Sequence, residues 1–334
     1  MKKAVYLVSP GNSHLVRVYR EPLRQELAQL VDLYPDYIDR NNIEQHREAA
    51  RTAVCAFSTW GMPAFSEEEI QRYFPNLDVV FYAAGSVQGF ARPFLNRQVK
   101  VVSAWAANGV PVAEYTLAQI LLANKGFYQN NRLARHSYEQ AYSYSATHPG
   151  NYHVKVGLLG AGVIGKKLIE LLKPFAIDVL VFDPYLSAEQ AAELGVAKTS
   201  LADIFATCQT ISNHLANLPA TQGIINREQL DTMLPNATLI NTGRGAQIVE
   251  ADLIAALKAE PGRTAVLDVT EPEPPADDSD LRRLDNVVLT SHIAGSMNNE
   301  LARMAETMLA EFKAYERHEP LRYEVSLKML ETMA

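Results

Sequence analysis

Apolar positions along this chain follow two rhythms: short unbroken runs, and longer segments in which they return at helical spacing. Lys3–Val8, Thr52–Phe57, Asp78–Ala84 and Val99–Ser103 are runs of the first kind and predict buried strands. Between them, Ser13–Leu33 predicts a helix interrupted or kinked near Pro22, because proline lacks the backbone donor that a helix interior needs. Ser66-Glu67-Glu68-Glu69 is a capping box opening a helix that ends before Pro75. Val112–Phe127 is almost wholly apolar, the signature of a buried helix rather than a surface one. A polar, tyrosine-rich passage follows at Arg135–Tyr152, broken by His148-Pro149-Gly150-Asn151. Strand and helix patterns then alternate through Ile293, and Asn298–Tyr315 predicts an amphipathic helix with Leu301, Met304, Met308, Leu309, Phe312 and Tyr315 on one face. Strands alternating with helices imply parallel sheets covered on both faces.

One alternation carries chemistry. Val154–Asp183 reads as a strand, the turn Gly160-Ala161-Gly162-Val163-Ile164-Gly165, a helix, and a second strand ending in an acid. Gly160 allows the tight turn, Gly162 lets a pyrophosphate approach the backbone, and Gly165 lets the helix pack on the sheet. The pyrophosphate then meets the free N–H groups and positive end of the helix. Asp183, 18 residues beyond Gly165, is placed to accept hydrogen bonds from a ribose hydroxyl pair. Asp183-Pro184-Tyr185-Leu186 has no Arg or Lys for a 2′-phosphate, and the acid would repel one, so NAD is expected rather than NADP.

Composition narrows the class. The 334 residues suffice for two domains, and 48% hydrophobic with 21% charged residues is ordinary for a soluble globular protein. A net charge of −7 provides no basic footprint for nucleic acid or an anionic membrane. Cys55 and Cys208 form neither a CxxC nor a metal-ligand spacing; reduced buried thiols and no metal are expected. Ala4–Val8 is too short for the apolar core of a signal peptide, and no run approaches the ~20 apolar residues of a membrane span. A cytoplasmic protein is expected.

Three further apolar runs end in reactive side chains: Leu239–Asn241 leads into Thr242-Gly243-Arg244-Gly245, Ala265–Leu267 into Asp268-Val269-Thr270-Glu271-Pro272-Glu273-Pro274, and Asn286–Ser291 into His292-Ile293. Ligands of open parallel sheets bind outside the carboxyl ends of strands, so these loops are candidates for one crevice. The order of NTGRG, LDVTEPEP and SHIAGS behind GAGVIG and FDPY resembles the D-isomer-specific 2-hydroxyacid dehydrogenase family. Gly109–Glu114 and Ser200–Asn226 extend the similarity to roughly the last two-thirds of the chain, while the first hundred residues resemble the family mainly in architecture.

The resemblance implies two Rossmann-like or flavodoxin-like, doubly wound α/β domains with the active site in the cleft between them. The substrate domain is expected at 1–104 with 297–334, the NAD domain at 105–296. It implies that Arg244 clamps the substrate carboxylate, that His292 is the acid/base, and that Glu273 rather than Glu271 pairs with it. On the cofactor side it implies Gly160, Gly162, Val163, Ile164, Gly165, Asp183, Pro184, His214, Thr242, Gly243, Asp268, His292 and Gly295, with Asp268 facing the nicotinamide carboxamide. On the substrate side it implies Trp60, Gly85, Ser86, Asn108, Arg244 and His292, with the Ala84–Val87 loop holding the carboxylate through backbone N–H groups. Three positions depart from the family: Ser86-Val87-Gln88-Gly89 lacks the usual Asp, Cys208-Gln209 stands where an Asp commonly follows, and Gly243 replaces a small residue with a Cβ.

The implied activity interconverts a small 2-keto acid, glyoxylate-like, hydroxypyruvate-like or larger, with its D-2-hydroxy acid. A phosphorylated substrate is not expected, since Ser58-Thr59-Trp60 carries no Arg, and no serine-sensing regulatory domain is expected after the dehydrogenase module. A homodimer formed through the NAD domain, with Arg135–Tyr152 as its arm, is expected by analogy. The competing readings are an NAD-responsive, corepressor-like scaffold of the same fold and a hydrolase using tightly held NAD.

Overall fold

The computed structural model describes residues 1–11 and 14–333. They divide into two compact units, Met1–Gly109 with the segment from Ser296 onward, and Val110–Gly295.

The first unit is built on a six-stranded sheet of β1 (Lys3–Leu7), β2 (Asp32–Ile38), β3 (Cys55–Ser58), β4 (Val79–Tyr82), β5 (Lys100–Ser103) and β13 (Glu324–Val325), ordered β13-β5-β4-β3-β1-β2. All neighbours are parallel except β13, which runs antiparallel to β5. Alternate residues point to opposite faces of a strand, and both faces are covered. Val5, Leu7, Ala56 and Val80 enter one core with Phe65, Phe74 and Phe94. Tyr6, Phe57 and Phe81 enter the other with Met304, Met308 and Phe312 of helix Leu301–Glu316. That helix buries the expected stripe from Leu301 to Phe312, with Tyr315 half-buried at its end, and a single turn at Asn298–Glu300 precedes it. The Ser66 capping box also forms: Glu69 N–H donates to Ser66 Oγ and Ser66 N–H to Glu69.

Three expectations needed correction here. Ser13–Leu33 is not one kinked helix but two, His14–Val18 and Glu21–Leu30, with Pro22 in the first turn of the second, where its missing donor is tolerated (Ser13 itself lies outside the described residues). Leu33 belongs to β2, a strand that the pattern concealed because it contains Pro35 and alternates poorly. It is an edge strand, and its pairing with β1 skips from Ala4↔Leu33 to Tyr6↔Tyr37 across the proline. Thr52 closes helix Arg47–Thr52 rather than opening β3. The long apolar helix also begins earlier than expected, at Trp105, and runs through Pro111 to Asn124.

The second unit holds a seven-stranded sheet of β6 (Lys155–Leu159), β7 (Asp178–Phe182), β8 (Ala197–Lys198), β9 (Thr210–Asn213), β10 (Thr238–Asn241), β11 (Thr264–Leu267) and β12 (Val287–Leu289). The order is β12-β11-β10-β9-β6-β7-β8 and every pair is parallel. The chain builds outward from β6 to β7 and β8, then returns to place β9 on the other side of β6. That reversal is the topological switch point at which such sheets bind ligands. Among the described residues, no helix is long and apolar enough to cross a membrane.

Candidate active site

Register aligns the ends of these strands. Leu159 pairs with Asn213, Asn213 with Asn241, Asn241 with Leu267, and Leu267 with Leu289. The residues that follow, Gly160, His214, Thr242, Asp268 and Thr290, therefore emerge side by side at one edge of the sheet, and the candidate loops grow from this row.

The glycine turn leads into helix Val163–Leu172. Gly160 has φ +94°, and a Cβ there would meet the His214 carbonyl at 2.8 Å; a Cβ on Gly165 would meet the Gly160 carbonyl at 2.2 Å. A Cβ on Gly162 would meet nothing within 4 Å. Two glycines are thus required by the protein's own packing, whereas the middle one faces open space beside a helix N-terminus, which fits a pyrophosphate. Asp183 closes the turn: its carboxylate accepts from Ala161 N–H (2.7 Å) and Tyr185 N–H (2.7 Å). Pro184 is exposed beside it, as are Gly162 and Val163; Ile164 is partly buried.

His214 is buried, with Nε2 2.9 Å from Ser212 Oγ and Nδ1 3.4 Å from Thr242 Oγ1, and burial pulls its pKa from 6.5 down to about 4. The imidazole is therefore neutral in the native protein and protonated in the unfolded chain between those two values. Stability is full above the ordinary pKa and is lost as pH falls through this window, by up to about 3 kcal/mol. The variant His214→Gln is expected to narrow the gap between thermal midpoints measured at about pH 7.5 and about pH 4.5; an unchanged gap would rule out His214 as a source of acid lability.

Asp268 is 2% exposed, and the structure brings its carboxylate against the histidine loop. One oxygen accepts from Thr290 Oγ1 (2.6 Å) and Ile293 N–H (2.8 Å), the other from Ala294 N–H (2.9 Å), while its carbonyl accepts from His292 N–H (3.0 Å). This binding holds His292 at φ +59°, a left-handed conformation that costs a non-glycine residue on the order of 1–3 kcal/mol. The strand expected to reach Ile293 ends at Leu289, so His292 stands in a loop. In that position His292 Nδ1 lies 2.7 Å from Glu273 Oε1, with both side chains partly exposed. Glu273, not Glu271, makes this contact.

Arg244 leaves β10 next to Gly245, where a Cβ would fall 1.9 Å from the Thr270 carbonyl carbon, so the turn packs directly on the backbone of the Glu273 loop. Arg244 Nη1 donates to the Gly243 carbonyl (2.7 Å). Burial lowers the guanidinium pKa and nearby Glu273 acts to raise it. Among the described residues, no carboxylate lies within ion-pair distance of Arg244, a partly buried cation with five N–H donors.

The first unit has its own convergence. Ser103 Oγ donates to the carbonyls of Ala84 and Gly85 (2.9 Å each), and among the described residues none accepts a hydrogen bond from Gly85 or Ser86 N–H. Ser86 is exposed, and a Cβ on Gly85 would lie 3.1 Å from Asn108 Nδ2. Asn108 Oδ1 accepts from Ser296 N–H (3.3 Å), next to partly buried Gly295. Trp60 is partly buried against both cores of this unit, its ring edge-on to His14. Both hydroxyls preceding it are spent internally, Ser58 on the Leu7 carbonyl (2.6 Å) and Thr59 on that of Ala83 (2.8 Å). No group of three or more His, Cys, Asp or Glu side chains suited to a metal occurs among the described residues.

A doubly wound sheet with a glycine-turn helix at its switch point and an acid capping that turn defines a dinucleotide-binding α/β protein. Residues 117–294, more than half of the chain, match the family model described as D-isomer specific 2-hydroxyacid dehydrogenase, NAD binding domain. The chain belongs to this family. It is 29% identical over 235 residues to a D-3-phosphoglycerate dehydrogenase of Archaeoglobus fulgidus (70% of this chain, 44% of that protein). It is 35% identical over 216 residues to one of Mycobacterium bovis (64% of this chain, 40% of that protein). The chain thus spans less than half the length of these curated relatives. Its fold is similar to a phosphoglycerate oxidoreductase from Rhizobium etli, with TM-score 0.80, 20% identity, and 99% of this chain and 100% of that one covered.

Proposed function

We propose that the protein is an NAD-dependent oxidoreductase that interconverts a 2-keto acid and a D-2-hydroxy acid, consuming NADH and a proton in the reductive direction. The observation that carries this reading is the 2.7 Å contact between His292 and Glu273 next to the partly buried, unmatched Arg244. An acid/base pair and a cation for a carboxylate are what hydride transfer at the 2-position of such an acid requires.

When bound, NADH supplies the hydride. Gly162 and the helix N-terminus, on the turn that Gly160 and Gly165 allow, would hold its pyrophosphate, Asp183 its ribose, and His214, Thr242, Gly243, Asp268 and Gly295 its nicotinamide side. Arg244 binds the substrate carboxylate and its 2-oxygen; in the other unit, the Gly85 and Ser86 N–H groups beside Asn108 are donors of the kind a carboxylate takes. His292 Nδ1 is engaged by Glu273, so Nε2 is the nitrogen that gives a proton to the 2-oxygen in reduction and takes it back in oxidation. A small unphosphorylated keto acid is favoured, because the Ser58-Thr59-Trp60 loop has no cation and both its hydroxyls are already bonded. We further propose a cytoplasmic homodimer joined through the NAD domain.

The test is NADH oxidation against 2-keto acids from glyoxylate to phenylpyruvate, with a phosphorylated hydroxypyruvate included and the series repeated with NADPH. Turnover of one unphosphorylated keto acid with NADH is expected. Tight NADH binding with no turnover would favour a nucleotide-sensing scaffold instead. Within this reading, Asp183→Ala should weaken NADH binding by about tenfold and narrow the preference over NADPH, since the charge-assisted bonds to Ala161 of the turn and to Tyr185 and those to the ribose vanish together. Unchanged affinity for both cofactors would make the acid merely structural.

A further inference from the structure

We infer that Gln247 is a positioning residue for Arg244, acting with Asn213 and Asn241 as a buried brace to which Gly243 is adapted. This rests on the reading of Arg244 as the carboxylate clamp. Gln247 lies in the short turn Gly245–Gln247 after β10 and, like Asn213 and Asn241, is completely buried. Every side-chain capacity of Gln247 is used. Oε1 accepts from Arg244 N–H (3.1 Å) and Asn213 Nδ2 (2.6 Å), and Nε2 donates to the carbonyls of Leu215 (2.8 Å) and Ala216 (3.0 Å). Asn213 Nδ2 also donates to Asn241 Oδ1 (2.9 Å), and Asn213 Oδ1 accepts from Leu215 N–H (3.2 Å). Asn241 completes the set: Oδ1 accepts from Gly243 N–H (3.1 Å) and Nδ2 donates to the Arg244 carbonyl (3.1 Å).

The consequence is local and specific. Arg244 is held by buried amides at both its N–H and its carbonyl, and the Gly243 carbonyl that receives its guanidinium belongs to a residue pinned by the same set. A satisfied buried polar network is rigid, and its neutral amides impose geometry without competing for the charge of the guanidinium. The glycine at 243 has its cause here: a Cβ would lie 2.7 Å from Gln247 Oε1 and 3.0 Å from Asn213 Nδ2.

The experiment is a double-mutant cycle of Gly243→Ala and Gln247→Ala in the full chain, with Arg244→Lys as the control on the underlying reading. Turnover of the keto acid found by the substrate series, binding of oxamate (an unreactive keto-acid mimic) to the NADH complex, NADH affinity and thermal midpoint are measured. Each single variant is expected to lower kcat/KM and oxamate affinity by roughly tenfold to a hundredfold, as misplacement of a binding group does, and Gln247→Ala, which does not touch the cofactor, should keep NADH affinity within about threefold. Gly243→Ala should add much less in the Gln247→Ala background, because the Oε1 that its Cβ meets most closely is gone and Asn213 Nδ2, released from that oxygen, can give way. Full additivity, or loss of stability and NADH affinity with unchanged oxamate binding, would overturn the brace. If Gln247→Ala does not fold, Gln247→Ser, whose shorter side chain likewise leaves nothing where Oε1 stood, replaces it in the cycle. Unchanged oxamate binding and turnover in Arg244→Lys would sink the clamp itself, whereas a damaged Arg244→Lys with an additive cycle would sink the brace alone.

Discussion

Replacing His292 by alanine is expected to lower kcat by about 10²- to 10⁴-fold and to leave NADH affinity nearly intact. The expectation follows from how the ring is held. Asp268 binds the backbone on and around His292, fixing a left-handed residue that a free loop would relax, and Glu273 engages Nδ1 at 2.7 Å. Only Nε2 remains for a reacting proton. Alanine removes that nitrogen while the Asp268 bonds to Ile293, Ala294 and Thr290 persist, so the loop and the glycine turn survive. Single-turnover rates and NADH titration of the variant check this; a rate within a few-fold of the parent would exclude His292 as the acid/base.

The second large effect belongs to Arg244. Substitution by lysine should reduce kcat/KM for the keto acid by about 10²- to 10³-fold, corresponding to loss of a desolvated bidentate ion pair of roughly 3–4 kcal/mol. Lysine keeps the charge but offers a point cation in place of a planar fork. Stability should move the other way. Burial depresses the Arg244 pKa, and among the described residues it meets no carboxylate at ion-pair distance, so the folded protein holds a costly unmatched cation. Arg244→Met should therefore leave the thermal midpoint unchanged or raise it while abolishing keto-acid turnover. A lower midpoint with retained turnover would identify Arg244 as a structural residue.

The parts of this molecule that were legible in advance are those whose cause is local. The glycine turn, the Ser66 capping box and the stripe from Leu301 to Phe312 each follow from interactions among residues a few positions apart, and all three form as expected. The choice of Glu273 over Glu271 came from the resemblance to the family, not from any local rule in the chain. The elements that escaped are governed by neighbours distant in the chain. Pro35 argues against a strand until β2 is known to lie at a sheet edge, where an absent donor is harmless.

Asn213 and Asn241 show the division most clearly. Each is the last residue of a short buried strand, TISN and TLIN. Nothing local says that they become cross-strand partners, or that Gln247 reaches both the Arg244 N–H and the carbonyls after His214. Which chemical groups this protein carries, and that a dinucleotide turn precedes them, is written in local sequence, since propensities and short motifs act over one turn or one loop. Their alignment in a single row, the holding of His292 by Asp268, and the bracing of Arg244 arise only from parallel register between strands far apart in the chain, because a buried polar group takes its partners from whatever folding packs beside it.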